Sequence, residues 1–306
     1  MNRFAYREAQ TVPEAIDILR QEDGGRIVAG ATDTLIRWRL GAWKPQYVLN
    51  IKRIPDLDTL DYSPDTGLSL GPLVTIRTLE RHPLVQTHYP ALAQAAMAFA
   101  GVQIRNLATV GGNICNASPA GDTLPALLAY NAACRIAGAA GERVVPLADF
   151  LVGPGRTALQ PAEMVVGVHL PALAPRSGGL YIKHSPRSTM DIATVGVAAV
   201  VTLAASGHVC QEVRITLGAV APTVVRASAA EAVLRGQPAD AATIQRAAQA
   251  ALEAAHPIDD IRATAAHRRR VVVPLVQRAV HYAVQMAQGI PFSSQMQRSL
   301  AVEAAF

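Results

Sequence analysis

Ala108-Thr109-Val110-Gly111-Gly112-Asn113-Ile114-Cys115-Asn116-Ala117-Ser118-Pro119-Ala120-Gly121-Asp122-Thr123-Leu124-Pro125 is the stretch around which the chain is organised. Between an Ala-rich helical run and a second apolar run it sets three glycines, two prolines, two asparagines, an aspartate and three hydroxyl residues. That composition implies main chain in special conformations, with amides free to face something. Gly111 and Gly112 remove side chains where a ligand could lie on the backbone. Thr109, Asn113, Ser118 and Asp122 supply hydrogen-bonding groups around them. A polar connection between two helices has the same composition, so both readings stand at this level.

Outward from this stretch, Thr75 to Glu80 and Tyr89 to Phe99 look helical, and Leu124 to Tyr130 forms a helix that Asp122 or Thr123 can cap. Towards the N-terminus, Leu57 to Tyr62 and Leu68 to Leu73 flank Pro64-Asp65-Thr66-Gly67 as a hairpin. Thr11-Val12-Pro13-Glu14 has capping-box spacing and opens a helix over about 13–22. Arg26 to Gly30 reads as a strand, which turns through Ala31 to Thr34 into a helix at Leu35 to Leu40 capped by Thr32 or Asp33. A strand, a glycine turn and a helix start can hold phosphate on free amides, although an ordinary βα turn has the same pattern. Gly30 alone is too few for a dinucleotide fingerprint, and no P-loop lysine follows.

Towards the C-terminus, Ala133 to Ala137 and Glu142 to Val145 form a hairpin, and Met164 to Leu170 a strand. Ala172 to Gly179 is the most linker-like run, which places a domain boundary near residue 175. Beyond it come strands at Leu180 to His184, Ile192 to Ala204 and Val209 to Val220. Helices follow at about 227–235, 240–255 and 262–287, so strands precede helices in the α+β order.

Composition narrows the chemistry. The 306 residues are 50% hydrophobic and 17% charged with a net charge of +5. No uninterrupted apolar run reaches the ~18 to 20 residues of a membrane span. Met1 to Glu8 lacks the apolar region of a secretory signal, so a cytoplasmic chain is expected. The three cysteines, Cys115, Cys134 and Cys210, build neither a disulfide framework nor a four-thiolate cluster. The basic run His267 to Arg270 lies in a helical pattern with little aromatic interleaving, as on a solvated face or subunit contact, and nucleic-acid binding is not expected. No GxSxG or HExxH occurs and the histidines lack metal spacing, so neither a catalytic constellation nor a metal site is expected.

Three spaced motifs carry a resemblance. Ala29-Gly30-Ala31-Thr32-Asp33, Ala108 to Ile114 with Ser118-Pro119 and Gly121-Asp122, and Tyr181-Ile182-Lys183-His184-Ser185-Pro186-Arg187 leading to Asp191 through Gly196 look like the FAD-binding medium subunit of molybdenum hydroxylases, the xanthine dehydrogenase and carbon monoxide dehydrogenase family. The resemblance runs from about residue 3 to residue 285. It implies an α+β fold: a two-subdomain FAD-binding domain of the vanillyl-alcohol oxidase and MurB-like type over 1–174, with subdomains of about 1–55 and 56–174. A smaller α+β domain of three strands and three helices would follow over 175–290, and then a tail over 291–306.

In such proteins two glycine-containing loops embrace the FAD pyrophosphate. Here they would be Val28, Ala29, Gly30, Ala31, Thr32, Asp33 and Thr34, and Thr109, Val110, Gly111, Gly112 and Asn113, holding the anion on backbone amides. Cys115 and Ser118 fall in the same region. Asp122 would bind a sugar or ribityl hydroxyl and Lys183 would reach in from the second domain. Many relatives have a second glycine where this chain has Ala31, so Ala31 is expected in an ordinary allowed region. Read alone, Asp122 could be a helix cap and Lys183 a surface lysine. Tyr181 could pack or stack on the flavin, and Cys115 could be a buried thiol or a flavin neighbour.

Function follows from the resemblance as an expectation: an electron-transfer subunit of a heterotrimer, paired with a large molybdopterin subunit and a small subunit with 2Fe-2S clusters, as a dimer of heterotrimers. Electrons would pass between those clusters and NAD, oxygen, a quinone or another external partner. A self-sufficient flavin oxidoreductase and an FAD-free scaffold subunit are the alternatives. Gly111→Val or Gly112→Val is expected to lose FAD in a chain that still folds.

Overall fold

Thr11 decides where the first helix starts: its hydroxyl accepts from the Glu14 N–H at 3.2 Å, with Pro13 in the first turn. The Glu14 carboxylate reaches back one residue further than a capping box requires, to the Gln10 N–H at 2.7 Å. In the computed structural model, which describes residues 3–187 and 190–291, the chain begins β1 (Ala5–Glu8), α1 (Val12–Gln21), β2 (Gly25–Val28), α2 (Thr34–Arg39), β3 (Tyr47–Asn50), β4 (Leu60–Ser63) and β5 (Gly67–Leu70). Six helices follow: α3 (Ile76–Arg81), α4 (Pro83–His88), α5 (Pro90–Met97), α6 (Val102–Arg105), α7 (Val110–Asn116) and α8 (Thr123–Ala129). Next come β6 (Ala133–Gly138), β7 (Gly141–Pro146), α9 (Leu147–Phe150), β8 (Leu151–Gly153), β9 (Arg156–Thr157) and β10 (Met164–Pro171). The last part holds β11 (Ser177–His184), β12 (Val195–Leu203), β13 (Cys210–Gly218), β14 (Val225–Arg226), α10 (Ser228–Leu234), α11 (Ala241–Ala250) and α12 (Ala265–Ala287). Apart from Pro291, the expected tail lies outside the described residues.

These elements gather into two compact units that interleave along the sequence. Unit 1 takes the described residues up to Thr78, Gly101–Ala117 and Ala132–Ala172, and unit 2 takes Leu79–Ala100, Ser118–Asn131 and the chain from Leu173. Unit 1 contains a parallel sheet in the order β1-β3-β2 and a mostly hairpin-built sheet in the order β4-β5-β10-β6-β7. Its apolar core joins Tyr47, Leu49 and Ile51 of the first sheet region to Ala15 and Ile16 of α1 and to Met164 and Val166 of β10.

Unit 2 is built on β12, whose nine residues are all buried. It lies between β11 and β13, and β14 pairs with β13, so the sheet has four strands rather than the three expected. A two-residue strand leaves no alternation to read. Glycines 178 and 179, read as linker, belong to β11. A Cβ on Gly178 would sit 2.2 Å from the Ala283 carbonyl of α12, and one on Gly179 2.4 Å from the Tyr130 hydroxyl on the opposite face. Both are glycine because the strand is pressed from both sides. The basic run also differs from expectation: Arg268 is 3% exposed and donates to the Thr194 and Ala219 carbonyls and to Asp260, while Arg269 and Arg270 stay exposed.

Candidate functional site

In unit 1 the glycine stretch is anchored by main chain. The Ile76 N–H donates to the Ala108 carbonyl at 2.8 Å, Val110 N–H to the Val74 carbonyl at 2.9 Å, and Gly111 N–H to the Pro72 carbonyl at 3.0 Å. Thr109 then caps α7, its hydroxyl accepting from Gly112 N–H at 3.1 Å and its carbonyl from Asn113 N–H at 2.9 Å. Two expectations change. The residues 110–113 form the start of a helix rather than a loop, and their four amides are engaged within the chain instead of being free. Positive φ falls not on the glycine pair but on Ala117, at 45°, where α7 ends.

Gly111 is also packed tightly, since a Cβ there would meet Pro72 Cβ at 2.5 Å and the Pro72 carbonyl at 2.8 Å. Gly111→Val therefore attacks the fold itself, against the expectation of an intact chain. Gly112 differs: it is exposed, and its Cβ would meet nothing closer than the Thr109 hydroxyl at 2.9 Å.

The other family segment is brought to this one by Gly30. A Cβ on Gly30 would lie 2.0 Å from the Leu107 carbonyl oxygen, so the turn after β2 runs backbone against backbone along 107–108. Here Ala31 adopts φ 61°, the left-handed region, not the ordinary one expected. The close approach fixes the turn, and Ala31 bears a strain of about 1–2 kcal/mol that glycine would avoid. Asp33 stands at the head of α2 without a side-chain cap bond. The amides of Asp33 and Thr34 precede the first helical bonds, from Leu35 N–H to Ala31 and Arg37 N–H to Asp33, both at 3.0 Å. Arg37, which sequence reading did not single out, donates to Asn116 Oδ1 at 2.8 Å and lies over the Trp43 ring at 4.9 Å, tying α2 to the end of α7. Cys115 is exposed as a residue, yet burial of its thiol pushes that group up to about 12, so the sulfur itself is the buried thiol expected.

In unit 2 the site is made of charge. The Ser118 hydroxyl accepts from the Ala120 N–H at 3.3 Å. Pro119 and Pro125, on either side of Asp122, are held by the sheet through their carbonyls, which accept from Ala219 N–H at 2.7 Å and the Thr216 hydroxyl at 2.7 Å. Asp122 precedes α8 but does not cap it. Its carboxylate instead accepts from the Tyr181 hydroxyl at 3.0 Å and from Lys183 Nζ at 2.9 Å. Tyr181 and Lys183 alternate along β11 and so share a face. The Lys183 side chain is 3% exposed, so it is no surface lysine, and its ammonium also donates to the Ala98 carbonyl at 3.0 Å.

Gln94 and Gly196 complete this arrangement. The Gln94 amide oxygen accepts from Tyr181 N–H at 2.8 Å. Gly196 pairs with Lys183 across the sheet, and a Cβ there would come within 3.0 Å of the Tyr181 hydroxyl. Burial pushes the Asp122 carboxyl up to about 6 against the opposing pull of Lys183 and Tyr181. Burial, then the facing Asp122, raises the Tyr181 hydroxyl well above its ordinary value.

Comparison with known proteins places this geometry. Residues 2–173 match the FAD binding domain in molybdopterin dehydrogenase, and residues 181–283 match the CO dehydrogenase flavoprotein C-terminal domain. The chain is 32% identical over 286 residues to a putative xanthine dehydrogenase FAD-binding subunit of Escherichia coli K12, spanning 93% of this chain and 97% of that one. It is 32% identical over 282 residues to the carbon monoxide dehydrogenase medium chain of Hydrogenophaga pseudoflava, spanning 92% and 97%. Among solved structures, carbon monoxide dehydrogenase from Hydrogenophaga pseudoflava superposes with a TM-score of 0.88 at 33% identity, over 93% of this chain and 98% of that one. Quinoline 2-oxidoreductase from Pseudomonas putida 86 superposes with a TM-score of 0.87 at 28% identity, over 94% and 98%. The chain belongs to the FAD-binding subunits of the xanthine and carbon monoxide dehydrogenase type, the flavoprotein component of an oxidoreductase.

Proposed function

We propose that this subunit is the electron-exchange component of a heterotrimeric molybdenum hydroxylase. It passes electrons between 2Fe-2S clusters of a small partner subunit and an external donor or acceptor, while the substrate reacts at molybdopterin on a large partner subunit. The proposal includes a dimer of heterotrimers, a cytoplasmic setting, and the division into an FAD-binding domain over 1–174 and a C-terminal domain over 175–290. No helix among the described residues is long and apolar enough to cross a membrane.

The observation that carries the reading is the main-chain contact of Gly30 with Leu107, which unites the two family segments in unit 1. A cofactor with a pyrophosphate fits this chemistry. The turn Val28 to Thr34 opens α2 with amides ahead of its ladder, and Gly112 is exposed with no side chain of its own to stand over it. In this proposal Val28 to Thr34 bind the pyrophosphate and Thr109 to Asn113 wall it through Gly112, with Cys115 in the same segment of unit 1. Asp122 takes a sugar or ribityl hydroxyl, with Lys183 beside it. FAD itself supplies the electron chemistry when bound, so the protein's residues need only bind and orient it.

The test is the native complex. Purification should yield a yellow protein with stoichiometric FAD together with molybdenum and iron. FAD without molybdenum or iron would favour a self-sufficient flavoenzyme, and a chain that stays colourless after reconstitution would sink the flavin reading.

A further inference from the structure

The buried carboxylate of unit 2 is constrained more than a binding residue needs to be. An ionised carboxylate offers about four acceptor positions on two oxygens and has no proton to give. Tyr181 O–H fills a position on one oxygen at 3.0 Å and the Lys183 ammonium one on the other at 2.9 Å. Both donors are fixed in turn. Tyr181 is held through its N–H by Gln94 and given space by Gly196, and Lys183 has a second acceptor in the Ala98 carbonyl. Among the described residues, the titratable groups that act on Asp122 are these two, both from β11, while the end of α5 brings the neutral Ala98 carbonyl and Gln94 amide to them. With the Lys183 and Asp122 side chains 3% and 10% exposed, solvent is poorly placed to replace either donor.

We infer that Lys183 and Tyr181 are positioning residues that hold Asp122 as an accept-only group, so that this position selects a ligand hydroxyl and turns away a phosphate oxygen. Lys183 acts through Asp122 and not on the ligand. The inference rests on the proposed contact between Asp122 and a cofactor hydroxyl. A ribityl or ribose hydroxyl has the proton that the remaining lone pairs require, whereas a pyrophosphate oxygen brings only a second acceptor and a like charge.

The experiment follows FAD affinity of the purified complex against pH for wild type, Lys183→Met, Asp122→Asn and the double variant. The infrared carbonyl stretch of a protonated carboxyl group is recorded in the same proteins. In wild type that band should grow as pH falls through about 6, with affinity falling about tenfold or more as the charged acceptor is lost. Lys183→Met should move both midpoints up by about one to three pH units. Asp122→Asn should abolish both pH dependences. Adding Lys183→Met to it should cost no further affinity, and the neutral double variant also removes the stranded ammonium that could unfold the single one. An equal loss from Lys183→Met in the wild-type and Asp122→Asn backgrounds would show that Lys183 meets the cofactor itself and overturn the inference. An unmoved infrared midpoint in Lys183→Met overturns it too. FAD affinity indifferent to Asp122→Asn, with the infrared midpoint still moving in Lys183→Met, overturns the hydroxyl assignment by removing the underlying contact.

Discussion

Unit 1 and unit 2 build their halves of the family signature from opposite materials. In unit 1 the organising contacts are main chain on main chain, with Gly30 on Leu107 and Gly111 on Pro72. In unit 2 a lysine, an aspartate and a tyrosine are taken out of water and made to satisfy one another. The difference lies in what a substitution leaves behind. Closing a backbone gap creates a clash that neighbours can relieve by moving, whereas removing a buried partner leaves a charge that no movement neutralises.

The comparison is tested most severely by Asp122→Ala, which strands the Lys183 ammonium and should destabilise by about 3–5 kcal/mol in chemical denaturation. Lys183→Met should cost less, because Asp122 can protonate. The same carboxyl has a pH signature. Its folded value of about 6 exceeds the ordinary 3.8, so its contribution to stability is full below about 3.8 and is lost as pH rises through about 6. Asp260 has the opposite sign. Hydrogen bonds from the Arg262 and Ala263 amides and from Arg268 outweigh burial and hold it at about 2, so its contribution is present above 3.8 and lost as pH falls towards 2. Denaturation of Asp122→Asn and Asp260→Asn across pH should flatten opposite ends of the profile, and matching changes would break the contrast.

Smaller effects are expected in unit 1. Gly111→Val and Gly30→Val should each lose about 1–3 kcal/mol or more through overpacking, with Gly112→Val well below both. An equal loss at all three glycines in thermal melts would erase the distinction drawn between packed and open positions. Thr109→Ala should remove about 1 kcal/mol with the α7 cap. Smallest, Ala31→Gly should raise stability by a few tenths to about 1 kcal/mol, since relief of the left-handed strain exceeds the added chain entropy. A lower melting temperature in that variant would mean that the turn does not hold Ala31 at positive φ.

These contrasts also explain what sequence could convey. The hairpins, the strand-then-helix order of the C-terminal part and the Thr11 cap were legible because each depends on neighbours a few residues apart. α7 was not, because two glycines argue against a helix and the anchor that overrides them lies at residues 72–76. Asp122 reads locally as a cap, since its partner Lys183 stands 61 residues away. The family motifs named both residues but not their bond. Gly196 belonged to a quoted motif, yet its use, making room for the Tyr181 hydroxyl, is visible only across the sheet.

The glycine pair at 178–179 has a practical corollary. A run that looks like a flexible tether is instead welded into β11, with the α12 main chain on one side and Tyr130 on the other. No single cut here separates the units, since unit 2 also takes Leu79–Ala100 and Ser118–Asn131, and a tag or protease site should be inserted before Ser177 rather than at the glycines. An insertion two residues later would wedge open the seam on which the sheet of unit 2 closes.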